Sequence, residues 1–246
     1  IAHINSAAAA LCRSAGYWAL PYPVAERLSR PTDLDVDGLI VVDAAAPLGG
    51  VAGVRLRWAT VDLTGRRADV TQVVGAGPGF TARLETTPLD EAGGDDIALA
   101  LVLSGWTLLG MLDRAIGLTV EHVRLREQFG QPLARFQGVQ FQLTDAEVER
   151  SGTDILAKHA LWSVSTGQPG ALEDALAFRM AALEAAEVVF RVCHQLHGAV
   201  GFCDETTLSW LSRYSQPLRR LPLGVSATRA ELSRRLGRRG LTGLYA

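Results

Sequence analysis

The sequence predicts a mainly α-helical protein with a small β segment. Apolar residues recur at helical spacing through residues 95–246, and short β-prone runs separated by turns occupy residues 37–94. In addition, 48% of the 246 residues are hydrophobic. Only compact packing hides so much apolar surface, which excludes a disordered or collagen-like chain.

The chain is predicted to have three parts in order. Residues 1–36 contain a short helical segment that ends before Pro21 and Pro23. Residues 37–94 read as a truncated β domain, with β-prone runs at 39–42, 53–63, 68–74 and 80–84. Residues 95–246 read as a bundle of antiparallel helices joined by short loops, at 95–128, 136–166, 171–198, 204–218 and 225–237.

The third of these long helices carries one apolar stripe that should face the core. Its members step by three or four residues: Leu172, Leu176, Met180, Leu183, Ala186, Phe190, Cys193 and His197.

Composition also restricts partners and location. The net charge of −2 argues against a nucleic-acid ligand, although eight arginines face a single acid, Glu231, after residue 210. Three cysteines without metal-ligand spacing favour a reduced, cytoplasmic setting and no metal site. The longest uncharged apolar run, 97–112, is shorter than the ~20 residues of a membrane span, so a buried helix is expected. Nothing at the amino end resembles a signal peptide.

Residues 126–137 place Arg126, Gln128 and Phe129 beside Gly130 at the expected end of a helix. A guanidinium there can bind a phosphate through two bonds, and the phenyl ring offers an apolar platform. The same residues also suit an ordinary helix terminus, in which arginine complements the dipole and Gly130 forms a left-handed cap.

Residues 193–202 follow a long helix with Gly198 and Gly201, which permit close approach of a ligand to the backbone. Gln195 can bond a planar polar group. The alternative is a Schellman-type helix stop. His194 and His197 raise the idea of a metal, but no carboxylate or thiolate completes a ligand pattern, and His197 belongs to the apolar stripe.

Together, Arg-Glu-Gln-Phe-Gly-Gln-Pro with a following Phe-Gln, and Gln-Leu-His-Gly-Ala-Val-Gly-Phe at 195–202, resemble the carboxy-terminal helical domain of the acyl-CoA dehydrogenase flavoproteins. This family has an amino-terminal helical domain, a middle β domain and a four-helix bundle, with FAD between subunits. The resemblance implies that Arg126, Gln128 and Phe129 reach a neighbouring subunit's FAD. It also implies that four more residues line this cofactor: Gln137, Gln195, Gly198 and Ala199. The family usually has glycine where Ala199 stands.

The departures from the family pattern concern catalysis. The chain is shorter than family members, and we find no Thr-Glu-Pro and Gly-Ser stretch that would anchor the flavin ring. The family's catalytic glutamate occupies one of two positions, which correspond here to Ala100 and to residues 214–220, and neither contains an acid. Asp95 or Asp96, one turn before Ala100, is a candidate displaced base, although acids at a helix start more often complement its dipole.

The resemblance therefore implies a smaller, degenerate subunit of a heteromeric acyl-CoA dehydrogenase. A catalytic partner would supply the glutamate and most of the site for the acyl-CoA, a fatty or steroid side-chain thioester, in a complex with two copies of each subunit. Two alternatives stay open: a non-enzymatic helical scaffold without cofactor, and a self-sufficient dehydrogenase with a displaced base.

Overall fold

The computed structural model describes residues 2–51, 55–75 and 81–239. It begins with two helices, α1 (Ala2–Tyr17) and α2 (Val24–Leu28). The sequence predicted the first but not the second, because α2 has only five residues and follows two prolines. The starts of the predicted β runs at 53 and 80 lie outside the described residues, as do residues 240–246.

Five strands of the described chain form one mixed sheet: β1 (Gly38–Val42), β2 (Leu48–Gly49), β3 (Trp58–Asp62), β4 (Arg66–Val74) and β5 (Ala82–Ala92). Their order in the sheet is β1-β3-β4-β5-β2. Strand β1 pairs parallel with β3, and the other neighbours pair antiparallel. Strand β5 extends beyond the predicted end at residue 84. Its second half is mostly polar and exposed and shows no apolar alternation, so the sequence pattern did not indicate a strand there. Pairing with β4 holds this half in the sheet.

The helical part confirms the predicted fold class. Its three long helices are α3 (Gly94–Leu125), α4 (Gln137–Ser165) and α5 (Ala171–His197). The single helix predicted at 204–218 is wrong: Pro217 cannot donate a backbone hydrogen bond, and the chain forms two helices instead. These are α6 (Thr207–Tyr214) and α7 (Gln216–Arg220), and α8 (Val225–Arg239) follows.

Helix α3 is the centre of the core. Within the described ranges it is the one helix long and apolar enough to span a membrane, yet 72% of its most apolar window is buried inside the protein. Its buried residues belong to one cluster with residues of α1, β1, β3, α4 and α5. The division at 36 and 94 therefore stays a prediction, since this core is common to all three parts.

The predicted stripe on α5 faces this core. Leu176, Leu183, Ala186, Phe190 and Cys193 are buried. Its remaining members, Leu172, Met180 and His197, are partly buried, toward the two ends and one margin of the stripe.

Helices α1 and α3 cross with their backbones in contact. A Cβ on Gly16 would lie 1.9 Å from the carbonyl oxygen of Thr107, and a Cβ on Gly110 would lie 1.9 Å from the carbonyl oxygen of Arg13. Only glycine at both positions permits this crossing, since real Cβ atoms do not approach a carbonyl oxygen so closely.

We predict that Gly110→Ala lowers the free energy of unfolding by about 1–3 kcal/mol, because α1 must move away from α3. The matched control is Gly117→Ala on the same helix, where a Cβ would meet no atom within 4 Å. That change should raise stability by roughly 0.5–1 kcal/mol through helix propensity. Urea unfolding measures both, and equal effects of the two substitutions would contradict the close crossing.

Candidate functional site

The predicted cofactor-binding residues meet at one end of the bundle, which we call the open end. The end of α3, the start of α4 and the end of α5 lie together there. The rings of His122 on α3 and His197 on α5 stack with centroids 4.3 Å apart. The backbone N–H of Leu133 donates to the carbonyl of Arg126 over 2.8 Å and ties the connection between α3 and α4 to the helix end.

A tight hairpin, rather than the last turn of a helix, presents Phe129. Strands β6 (Glu127–Gln128) and β7 (Gln131–Pro132) pair, and the turn between them has positive φ at Phe129 (53°) and Gly130 (78°). The prediction of a helix to residue 128, and with it the reading of Gly130 as a helix cap, is therefore wrong. The turn leaves the Phe129 side chain 91% exposed, with its ring edge-on to Phe136 at 6.2 Å.

Arg126 stands at the base of this hairpin with an unpaired guanidinium. Its backbone is extended, and its N–H bonds to the carbonyl of His122. In the part of the chain that the structure describes, no carboxylate forms an ion pair with its side chain, whereas Arg213 and Arg229 pair with Asp204 and Glu184. The neighbouring site candidates Gln128 and Gln137 are also exposed to solvent.

Gly198 ends α5 in a conformation that other residues rarely adopt. Its φ is 61° and its ψ is −145°, and the chain continues as a 3-10 helix, Gly198–Phe202. This ψ differs from the left-handed value of a Schellman-type stop, which was the alternative interpretation of these glycines. Gln195, Gly198 and Ala199 are all exposed, and the stacking of the adjacent His197 on His122 places them at the same open end as Arg126.

Three partly buried histidines, His122, His194 and His197, pack against aromatic rings beneath the open end. His194 stacks on Phe202 with ring centroids 4.4 Å apart, while His197 stacks on His122. Burial lowers the pKa of each of the three, and repulsion by His197 lowers the pKa of His122 and His194 further. The rings of His194 and His197 point to different partners and do not converge on one point. Among the described residues no group of three possible metal ligands is present.

The two positions at which the resemblance leads us to expect the family's glutamate line one cavity. Ala100 of α3 lines it from one side, and Tyr214, Pro217 and Leu218 line it from the other. Its volume is about 80 Å³, far below the roughly 300–1,000 Å³ of ordinary ligand pockets. In this chain the cavity is too small for an acyl-CoA thioester.

Glu26 is the single acid among the described residues that line this cavity. It comes from the unpredicted helix α2, and burial raises the pKa of its carboxyl. Sequence analysis did not find it, because the cavity joins α2, α3 and the segment after α6, which are far apart in the chain. No local pattern marks Glu26.

The two candidate displaced bases do not line the cavity. Asp96 accepts from the Nε of the buried Arg67 at 3.1 Å, and Arg67 also bonds Asp33 at 2.6 Å. Asp95 is exposed in the first turn of α3. The structure thus places Asp96 in an ion-pair network that joins the chain before the sheet, β4 and α3.

Comparison with known proteins agrees with this architecture. A family model described as "Acyl-CoA dehydrogenase, C-terminal domain" matches residues 101–235, more than half of the chain. The acyl-CoA dehydrogenase FadE27 of Mycobacterium tuberculosis is 32% identical over 203 residues, which cover 73% of this chain and 48% of FadE27. The acryloyl-CoA reductase (NADH) of Anaerotignum propionicum is 30% identical over 109 residues, 44% of this chain and 27% of that protein. The chain thus spans less than half the length of these relatives.

Solved structures share the fold at low identity. The Tcur3481-Tcur3483 steroid ACAD G363A variant superposes with a TM-score of 0.77 and 17% identity, over 97% of this chain and 82% of that one. The ChsE4-ChsE5 complex from Mycobacterium tuberculosis gives a TM-score of 0.72 and 17% identity, over 94% of this chain and 80% of that one. At this identity the likeness shows the fold alone.

The long helices packed on a small sheet, together with the family-model match over residues 101–235, define a carboxy-terminal domain of the acyl-CoA dehydrogenase type. The chain belongs to the acyl-CoA dehydrogenase family. This membership agrees with FAD as the predicted cofactor.

The histidines lead to a prediction about pH. Their pKa values are lower in the folded chain than in the unfolded chain, so the unfolded chain binds more protons as the pH falls below about 6.5. The contribution of these histidines to the free energy of unfolding is therefore fully present above that pH and decreases below it. We expect the melting temperature to fall between pH 7.5 and pH 5.5, and to fall less in His197→Gln. The exposed His3 gives the control, His3→Gln, which should keep the wild-type dependence; identical profiles for both variants would contradict the assignment.

Proposed function

We propose that this chain is the smaller subunit of a heteromeric acyl-CoA dehydrogenase, which removes hydrogen from the α and β carbons of a fatty or steroid side-chain CoA thioester. In this proposal the chain contributes one side of an FAD site and a partner contributes the catalytic glutamate. The observation that carries the proposal is the exposed Arg126, which has no carboxylate partner among the described residues and lies beside the exposed Phe129 at the open end of the bundle.

The residues at the open end fit FAD. Arg126 would bind the pyrophosphate, because an exposed guanidinium with no carboxylate partner can form charge-assisted bonds to phosphate. Phe129 would contact the adenosine. Gln128, Gln137 and Gln195 offer amide groups, and the backbone at Gly198 and Ala199 carries no large side chain. When bound, FAD accepts a hydride from the β carbon of the acyl group.

The geometry of α3 explains why a second subunit is needed. Ala100 and Arg126 are 26 residues apart, so a helix between them separates the cavity from the open end by about 39 Å. A dinucleotide held by Arg126 cannot place its flavin ring at the cavity of the same chain. The cavity that receives the acyl group therefore belongs to the partner, which also supplies the base that takes the α proton.

The proposed assembly, location and solubility follow from this sharing of the site between two different subunits. The ChsE4-ChsE5 complex contains a chain with this fold, which supports a hetero-oligomer. We propose two copies of each subunit, a cytoplasmic location, and poor solubility of this chain when it is expressed alone. Apolar side chains exposed at the open end support the last point: Leu125, Phe129, Val200 and Phe202.

One observation favours the alternative of a self-sufficient dehydrogenase. Glu26 lines the cavity with Ala100, and its raised pKa suits a general base better than the Arg67-bound Asp96 does, although this alternative requires the small cavity to widen before a thioester can enter. The other alternative, a non-enzymatic helical scaffold without cofactor, predicts that the purified complex is colourless because it contains no flavin.

We predict that Arg126→Ala weakens FAD binding by the complex roughly tenfold to a hundredfold, since a charge-assisted bond contributes about 1.5–3 kcal/mol. Arg124→Ala is the control, because Arg124 is also exposed at the end of α3 but precedes the hairpin. Flavin absorbance after dilution and filtration measures retention. Equal retention by both variants would remove Arg126 from the site.

We also predict that the chain alone, with added FAD and acyl-CoAs of varied length, does not reduce an electron acceptor, because neither position that corresponds to the family's base holds an acid. The assay should include Glu26→Gln. Turnover that this substitution abolishes would establish the self-sufficient alternative with Glu26 as base. Turnover that survives it would contradict both the predicted inactivity of the isolated chain and the role of Glu26 as base.

A further inference from the structure

The two sides of the proposed FAD site belong to different helices. Arg126 follows the end of α3, whereas Gly198 and Ala199 follow the end of α5. A single dinucleotide binds both sides well only if the spacing of these two helix ends is already fixed, because any freedom that they keep must be lost when the ligand binds. The contacts that hold the two ends together therefore contribute to the affinity of the site.

Most side chains in the last turn of α3 are exposed to solvent. Residues 124–126 are exposed, and Leu125 is 83% exposed. The backbone N–H of Arg126 donates to the carbonyl oxygen of His122 over 2.9 Å, and this bond closes the turn. Helix ends fray unless they are packed. The direction in which Arg126 leaves α3 thus depends on the packing of His122 and of the buried Val123.

A pair of stacked histidine rings connects this turn to α5. The ring of His122 lies on the ring of His197, with 4.3 Å between the ring centroids and 18° between the ring planes. Both side chains are partly buried, whereas the residues that follow them, 124–126 and 198–200, are exposed. The stack therefore lies at the boundary between the packed bundle and the open end.

The α5 side of this pair is held in place by its own helix. The Nδ1–H of His197 donates to the carbonyl oxygen of Cys193 over 2.9 Å. Because a carbonyl oxygen only accepts hydrogen bonds, this bond fixes both the position of the Nδ1 proton and the orientation of the ring. Cys193 is itself fully buried, and its thiol contacts Thr119 of α3. His197 thus offers a fixed surface to the His122 ring.

The His122 ring is uncharged at neutral pH. Burial lowers its pKa, and repulsion by His197 and Arg126 lowers the pKa further. An uncharged ring holds the helix end without repelling the Arg126 guanidinium and without competing with it for a phosphate group. The pair is therefore suited to position a binding residue, rather than to bind the anion itself.

We propose that the stack of His122 on His197 positions Arg126 for the cofactor. The stack fixes the last turn of α3 against α5, so that the guanidinium and the backbone at Gly198 and Ala199 can bind one dinucleotide. This inference rests on the proposed function, because it requires that FAD binds at the open end. His122 and His197 are positioning residues, since they act through Arg126 and need not touch the cofactor.

A double-mutant cycle tests this role through the dissociation constant of FAD, measured by flavin titration of the purified complex. His122→Leu removes the flat ring and should weaken FAD binding about threefold to tenfold. In an Arg126→Ala background the same substitution should change FAD binding less than about twofold, because no guanidinium is left to position. His122→Phe keeps a flat ring and should bind FAD within about twofold of the wild type.

His194→Leu is the matched control for general loosening of the open end. His194 is also a partly buried histidine that stacks on an aromatic ring, but its partner is Phe202, which follows α5 rather than belonging to α3. Its substitution should have the same effect on FAD binding with and without Arg126. The cycle is repeated with His197→Leu, and melting temperatures identify the folded variants, so that either ring can decide the outcome.

The outcomes separate the positioning role from the proposed FAD site. Wild-type affinity in His122→Leu, equal effects of His122→Leu with and without Arg126, or equal losses in His122→Leu and His122→Phe would each overturn the positioning role and leave the site in place. An Arg126→Ala complex that binds FAD as tightly as the wild type would reject the site itself, and the positioning role with it.

Discussion

Burial of helix α3 is the constraint on which the rest of the structure depends. Its uncharged middle can be hidden only if other elements surround it, and α1, α4, α5 and the sheet do so. The crossing with α1 is close enough to require glycine at positions 16 and 110. Because α3 is one continuous helix, it also sets the distance between the cavity at Ala100 and the open end at Arg126.

The arginines of the chain show how the same residue type serves two purposes. Arg179 is buried, and it donates to the carbonyls of Leu221 and Leu223 at 2.6 Å each, which holds the segment after α7 against α5. Arg67 is buried between Asp33 and Asp96. A buried charge without such partners would be very costly. Arg126, by contrast, is exposed and has no carboxylate partner in the described part of the chain, so its charge is available to a ligand.

Two surfaces of the folded chain are apolar and uncovered, and they lie on different elements. The open end combines aromatic and aliphatic side chains with the unpaired Arg126, which suits a charged cofactor shared with a partner. The exposed face of α4 carries Phe141, Val148, Ile155 and Trp162 at a spacing of seven residues.

The sequence by itself determined the fold class, the long helices and the positions of the site candidates, because apolar periodicity and short motifs are local properties. It also showed that Ala100 and residues 214–220 contain no acid. Only the tertiary structure decided that residues 127–132 form a hairpin, that β5 continues through polar residues, and that Glu26 lines the cavity. Each of these depends on contacts between residues distant in the chain or on the backbone of a tight turn. Pairing partners and cavity walls are properties of the packed molecule, and no local pattern of residues encodes them.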